Sequence, residues 1–322
     1  MKAHFLICLL GVNFALAQQP EDIPKGEGFR IGVAVDQVFL SVNARSIAGG
    51  FVKDLDRKDF AVYEDGVKQE IVNFYSHGVP VQVVLLIDIS GSTRDTQGEI
   101  RRAALGFAES LGPEDKVTIV TFNHEPRLIL NWTNDISRIK TALESIYAKG
   151  TTVLNDALYV LFDDLLSEVE GKTAVIVLTD GIDTDSIVAQ TQVMQLADRS
   201  ETTIYVVSQL EDYWAGAIAA RMRYRVRSQR VPRQLTDPFI LSARRFIARL
   251  AQRSGGKVLN SRAFASLTDI YRQVAEELKN QYYISYIPVN VMKDGKWRAI
   301  DVRVDRGDAQ VSTRPGYYAP PG

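Results

Sequence analysis

The chain is almost without thiols. One cysteine, Cys8, occurs in 322 residues. It lies in an N-terminal segment with the marks of an export signal, so a processed chain would carry none. Disulfides, thiol nucleophiles and cysteine metal sites are thereby excluded. Histidine is nearly as scarce, with three residues. Only His77 and His124 lie beyond the signal, and neither sits in a motif, whereas a serine hydrolase needs an activated Ser–His pair. There is no Gly-x-Ser-x-Gly, no P-loop and no Gly-x-Gly-x-x-Gly after a strand. The step Asp88-x-Ser90 lacks the second aspartate and the lysine motif of aspartyl phosphoryl transfer. A formal net charge of -1 gives the whole molecule no pull toward nucleic acid or membrane. Beyond the N-terminus no apolar run is long enough to span a bilayer. The expectation is a protein that is not an enzyme, with no transmembrane segment in the mature chain and no nucleic-acid partner.

What is present begins with that signal. Lys2 and His4 precede the apolar stretch Phe5 to Leu16, and Ala15-Leu16-Ala17 has the small-x-small form of a cleavage site. Residues 1–17 are read as a signal peptide, which implies export to periplasm, cell surface or medium. Residues 18–28 are polar with two prolines and read as a flexible leader. The remainder, 46% hydrophobic and 24% charged over the whole chain, has the balance of an ordinary globular protein of about two domains.

From Phe29 the patterning has period two: Ile31, Val33, Val35, then Val38, Leu40, Val42. Phe60 to Glu64 and Val67 to Phe74 flank Asp65-Gly66, a hairpin signal. The period returns to two at Tyr282 to Ile287 and at Ile300, Val302 and Val304. Either β segment alone is too small to bury a core. Residues 29–80 and 282–322 are therefore expected to form one β-sandwich, with residues 81–281 inserted between them. In that insert strands (Lys116 to Phe122, Thr173 to Leu178, Thr202 to Val207) alternate with helical patterns (Ile100 to Leu111, Asp135 to Tyr147, Asn155 to Val169, Ser186 to Arg199, Ser242 to Gln252, Leu267 to Lys279). The pattern predicts an α/β fold with a doubly wound, mostly parallel sheet.

The centre of that sheet is Val83-Val84-Leu85-Leu86-Ile87-Asp88-Ile89-Ser90-Gly91-Ser92. Five apolar residues run into a small polar cluster, the pattern of a strand buried on both faces. Ligands of such sheets bind at the carboxyl ends of strands. Asp88, Ser90 and Ser92 are hard oxygen ligands suited to magnesium, calcium or manganese. Thr151 and Thr152 precede a helix, and Asp180 follows the strand Thr173 to Leu178. The topology would bring all three loops to one sheet edge. Asp183 and Asp185 just beyond read as a solvated loop and a helix-start signal, with a charge-adjusting rim as the alternative.

Asp88-x-Ser90-x-Ser92, the threonine loop and Asp180-Gly181 resemble the metal-ion-dependent adhesion site of von Willebrand factor type A domains. The flanks, Phe60-x-Val62-Tyr63-Glu64-Asp65-Gly66 and Arg314-x-Gly316-Tyr317-Tyr318, resemble the secreted bacterial VWFA-related proteins. The resemblance implies that Ser90 and Ser92 bind the cation directly and Thr152 directly or through water. Asp88 and Asp180 would act mainly through water. The family usually has Gly-Gly-Thr where this chain has Gly150-Thr151-Thr152, and Thr152 is chosen by position. The implied function is an exported adhesion module whose cation, Mg²⁺ or else Mn²⁺ or Ca²⁺, takes an Asp or Glu of a protein partner. The rival readings are an envelope scaffold whose cation only stabilises it, and a metal-assisted hydrolase.

The insertion 211–240 is a local basic stripe: Arg221, Arg223, Arg225, Arg227, Arg230 and Arg233 alternate or cluster with apolar residues. It reads as a solvated ribbon, with an acidic partner, polysaccharide or nucleic acid as the functional alternative. Tyr213 and Trp214 are expected to tuck it onto the domain.

Overall fold

The computed structural model describes residues 37–210, 237–261 and 266–322, all within the compact unit Asp36–Gly322. The signal segment, the leader, the expected strand at Ile31 to Val35 and the stretch Tyr213 to Arg233 lie outside the described residues.

The first four strands are β1 (Val38–Ser46), β2 (Phe60–Glu64), β3 (Val67–Gln69) and β4 (Ile71–Tyr75). The α/β segment then runs β5 (Val81–Asp88), α1 (Gln97–Ser110), β6 (Lys116–Phe122), β7 (Pro126–Thr133), α2 (Ile136–Glu144) and α3 (Leu154–Val160). It continues through β8 (Lys172–Thr179), α4 (Gln190–Arg199), β9 (Thr203–Ser208), α5 (Asp237–Arg253), β10 (Val258–Asn260) and α6 (Leu267–Lys279). Four strands close the chain: β11 (Tyr282–Tyr286), β12 (Trp297–Val304), β13 (Ala309–Ser312) and β14 (Gly316–Tyr318).

The central sheet has the order β10-β9-β8-β5-β6-β7, parallel except for β7, which runs antiparallel to β6 at the edge. The fold is the expected α/β doubly wound sheet. β5 sits between β6 and β8, and its side chains feed both faces. Val83, Leu85 and Ile87 pack with Ile100 and Phe107 of α1 and with Ile270 and Val274 of α6. Val84 and Leu86 pack with Leu158 of α3, Val193 of α4 and Phe246 of α5. All five β5 residues are 0% exposed, and burial of each contributes roughly 1.5–3 kcal/mol. This is why the run lacks the alternation of a half-exposed strand. After α5 the chain crosses close over β9: a Cβ at Gly256 would lie 2.0 Å from the Ile204 carbonyl oxygen. Only glycine permits that approach.

The flanking strands form two further antiparallel sheets, β13-β1-β11-β4 and β14-β12-β2-β3. Each mixes N- and C-terminal strands, and a shared core that includes Leu40, Val42, Val62, Ile284 and Val302 lies between them. Two distant motifs meet here. Glu64 is 2% exposed and accepts hydrogen bonds from the Tyr286 hydroxyl (2.8 Å) and the Tyr317 hydroxyl (3.0 Å). One expectation is corrected. Val67 to Phe74 is not a single strand: β3 pairs with β2, whereas β4 pairs with β11 in the other sheet. The chain changes sheets at Glu70, a sandwich corner made by one strand run. Period-two patterning is the same on both sides of such a corner and does not reveal it.

Among the contacts that join the sandwich strands to the α/β segment, two stand out. Pro80 and Gln281, where the segment enters and leaves, line the same cleft of 290 Å³. In its floor, Lys172 donates to the Leu278 carbonyl at the end of α6 (2.7 Å), a favourable place for a cation at a helix C-terminus. Glu277 of α6, 3% exposed, receives Arg45 (2.9 Å) and Asn43 (3.3 Å) from β1, the Tyr205 hydroxyl (3.1 Å) from β9, and Lys257.

Candidate metal centre

Asp88 is the last residue of β5, and its carboxylate is held from two sides. Oδ1 accepts the Ser90 N–H (2.9 Å) and Oδ2 accepts the Thr179 hydroxyl at the end of β8 (3.0 Å). The first contact shapes the turn from strand to helix, because a short acidic side chain bonding two residues on closes an Asx turn. The turn places the Ser90 and Ser92 hydroxyl oxygens 3.0 Å apart.

The second loop is tied to the first through its backbone. Lys149 N–H donates to the Ile89 carbonyl (2.7 Å), and Gly91 N–H donates to the Gly150 carbonyl (3.1 Å). Thr152 is buried, 5% exposed, while Thr151 is exposed, an arrangement consistent with choosing Thr152. The third loop follows β8. Asp180 accepts the Ile182 N–H (2.9 Å). Gly181 at φ +73° takes a left-handed conformation, and a Cβ there would press on Ile247 of α5 at 3.2 Å. Thr184 binds the second loop to the third: its hydroxyl accepts the Thr152 N–H (3.1 Å) and its N–H donates to the Thr152 carbonyl (2.9 Å).

The three loops thus lie together at the carboxyl rim of the sheet. Ser90 and Ser92 touch. The Ser92 hydroxyl lies near enough to Asp180 to favour its ionised form. Asp88 and Asp180 are close enough that the charge of Asp180 disfavours ionisation of Asp88. Thr152 is joined to the others through backbone contacts of its loop. Among the described residues no three His, Cys, Asp or Glu side chains cluster as a metal site. Any cation here would rely on hydroxyl oxygens as well as on the two acids.

Both acids are deeply buried, Asp88 at 0% and Asp180 at 4% exposed. Burial is the main cause that raises both carboxyls above their ordinary range; for Asp88 the charge of Asp180 adds to it. Among the described residues no arginine, lysine or histidine pairs with either. Two buried, mutually repelling carboxylates beside a pair of serine hydroxyls are an electrostatic deficit that a hard divalent cation would cancel. The donor set fits such an ion. A pH dependence follows. Asp88 titrates near the usual 3.8 when unfolded and at about 7 when folded. Between those values the unfolded chain releases a proton that the folded chain retains. In chelator, stability should therefore fall as pH rises from about 4 to about 7. Urea unfolding across that range checks it; an equal slope in Asp88→Asn would rule out this origin.

Three positions that shape the site carried no usable sequence signal. Thr179 and Thr184 look like ordinary strand-end and loop residues. Asp183 lies in a loop, as its sequence context suggests, but the helix does not start there, and the side chain clamps α3, accepting the Asn155 N–H (2.8 Å), the Ser186 N–H (3.0 Å) and the Ser186 hydroxyl (2.7 Å). Asp156 also accepts the N–H groups of Ile187 and Val188. These bonds hold residues 183–189 as a loop, so α4 begins at Gln190 rather than Ser186.

Residues 82–225 match the von Willebrand factor type A domain. That stretch, a little under half of the chain, is where the similarity to the von Willebrand factor type A family lies. An uncharacterised protein of Synechocystis sp. is 25% identical over 107 residues, 32% of this chain and 26% of that protein. The match thus spans about a quarter of the relative's length. Among solved structures, a von Willebrand factor type A protein from Catenulispora acidiphila is 15% identical, covering 88% of this chain and 72% of that one, with a TM-score of 0.43. An aerotolerance-related membrane protein from Bacteroides fragilis is 16% identical over 62% of this chain and 98% of its own, TM-score 0.45. The PilB minor pilin of Streptococcus sanguinis is 12% identical over 63% and 62%, TM-score 0.41. Among the described residues no helix is long and apolar enough to cross a membrane.

Proposed function

We propose that the chain is a non-enzymatic protein-binding module of the cell exterior. In this reading Asp88, Ser90, Ser92, Thr152 and Asp180 hold a divalent cation, Mg²⁺ or else Mn²⁺ or Ca²⁺. The supporting observation is the paired burial of Asp88 and Asp180 with the Ser90 and Ser92 hydroxyls beside them and no basic side chain among the described residues to neutralise them. When bound, the cation supplies a centre of positive charge that attracts a carboxylate.

The chain's own groups set how strong that attraction is. Asp88 has both oxygens engaged by Ser90 and Thr179, so it orients the loop and contributes its charge at one remove. Ser90 and Ser92 present neutral oxygens. Neutral donors leave more of a dication's charge available than carboxylates do, and an Asp or Glu of a protein partner would be drawn to it. Export by the N-terminal signal would place the module where divalent cations are plentiful.

The test is capture of extracellular or periplasmic proteins on the immobilised full chain, with magnesium and with chelator. Proteins retained only with magnesium, and lost on Asp180→Asn, are the expected result. A retained set indifferent to chelator would take the cation out of the interaction and leave the scaffold reading in its place.

A further inference from the structure

A second site for acidic ligands lies on the flank of the α/β segment, in the groove between α4 and α5. The groove measures 540 Å³. One wall is the α4 face bearing Gln190, Met194 and Gln195, and the other is the α5 face bearing Arg245, Phe246 and Arg249. Phe246 is buried beneath it. α5 carries four arginines and no lysine, in a chain whose formal net charge is -1.

Arg253, one turn beyond Arg249, shows what this face does with a carboxylate. Its Nε and Nη2 donate to both oxygens of Asp198 on α4, at 2.7 and 2.6 Å. Its guanidinium also lies over the Trp297 ring, 3.9 Å from the centroid. This bidentate pair closes the groove at one end. Arg245 and Arg249 are exposed on the open part, and among the described residues neither has an acidic partner. α4 offers them none: its groove-facing residues there are glutamine, threonine and methionine.

We propose that this groove binds an extended acidic peptide segment of a partner protein, with alternate Asp or Glu side chains on Arg245 and Arg249. The spacing supports it. Residues four apart on a helix are separated by about 6 Å along the axis. Alternate residues of an extended chain, which share a face, are about 6.6 Å apart. Arginine's planar fork suits carboxylates. The opposite wall supplies the amides of Gln190 and Gln195, which can donate to and accept from a peptide backbone. Met194 and Phe246 give the groove an apolar floor. This apolar floor offers nothing to a sugar–phosphate backbone, so the groove favours a peptide.

The experiment uses the full chain in chelator, so that no carboxylate can bind through a cation at the rim; its outcome is independent of the metal-site reading. A fluorescent nonapeptide of alternating Glu and Leu is titrated by anisotropy, with a Gln-for-Glu peptide as control. Arg245→Gln and Arg249→Gln are expected to weaken binding about tenfold each, the loss of one charge-assisted contact apiece. The thermal midpoint should not move, since both side chains are exposed. The Gln peptide should bind at least tenfold more weakly than the Glu peptide. Undiminished binding by the double variant, equal binding of the Gln peptide, or tighter binding of a single-stranded oligonucleotide or a sulfated oligosaccharide at the same residues would each overturn the proposal.

Discussion

Asp180→Asn should have opposite effects in chelator and in magnesium. In chelator the variant should be more stable than the wild type. It removes one of two buried carboxylates whose mutual repulsion already disfavours ionisation of Asp88, and the amide keeps an oxygen for the Ile182 N–H. A gain of about 1 kcal/mol, or a few degrees in Tm, is expected. In magnesium the order should reverse. A site occupied at a hundred times its dissociation constant stabilises the native state by about 2.7 kcal/mol; the wild type should gain this and the variant should not. Differential scanning fluorimetry of both proteins, with and without Mg²⁺, Mn²⁺ and Ca²⁺, reads the crossover. If none of the three ions raises the wild-type midpoint, the rim does not bind a divalent cation.

Glu277→Ala should be the most destabilising single change that leaves the rim untouched. It removes the acid that Arg45, Asn43, Tyr205 and Lys257 share. The partners would lose their acceptor in a place with little water: Tyr205 is fully buried and Asn43 is 3% exposed. Removing one member of a fully buried ionic cluster typically costs about 3–5 kcal/mol; here Arg45 and Lys257 are 31% and 33% exposed and keep some water, so the low end, about 3 kcal/mol, is expected. Glu277→Gln preserves the shape and one acceptor, and should cost about half as much. The urea midpoint is the measurement. A shift under about 1 kcal/mol would mean that water replaces the carboxylate and that the cluster is not a fastening.

The parts legible in the sequence were those whose signal is local and whose geometry follows from chain direction. The run from Val83 to Ile87 could only be a strand covered on both faces, and a parallel sheet carries its strand ends to one rim. Chain direction alone thus puts Asp88, Ser90, Ser92 and Asp180 at one edge of the sheet. The interleaved sandwich followed from each half being too small to fold by itself. What stayed hidden depends on pairing between remote elements. The corner at Glu70 leaves the two-residue period unbroken on either side. Glu277 reads as a polar position on α6, and its partners at 43, 45, 205 and 257 share no spacing. The groove residues lie on two helices whose facing sides are set by packing among remote elements, β14 included. The late start of α4 had a local cause, but one that required Asp183 and Asp156 to reach back across the rim.

The segment is joined to the sandwich at the cleft shared by Pro80 and Gln281, while Asp88 lies at the far end of β5, about 23 Å along the strand. A tether attached at the rim would therefore pull β5 along its own length. β6 and β8 grip β5 on both sides through parallel ladders, so such a pull loads many backbone bonds in shear at once instead of peeling them one by one. Tension applied between rim and base would thus load both ladders together.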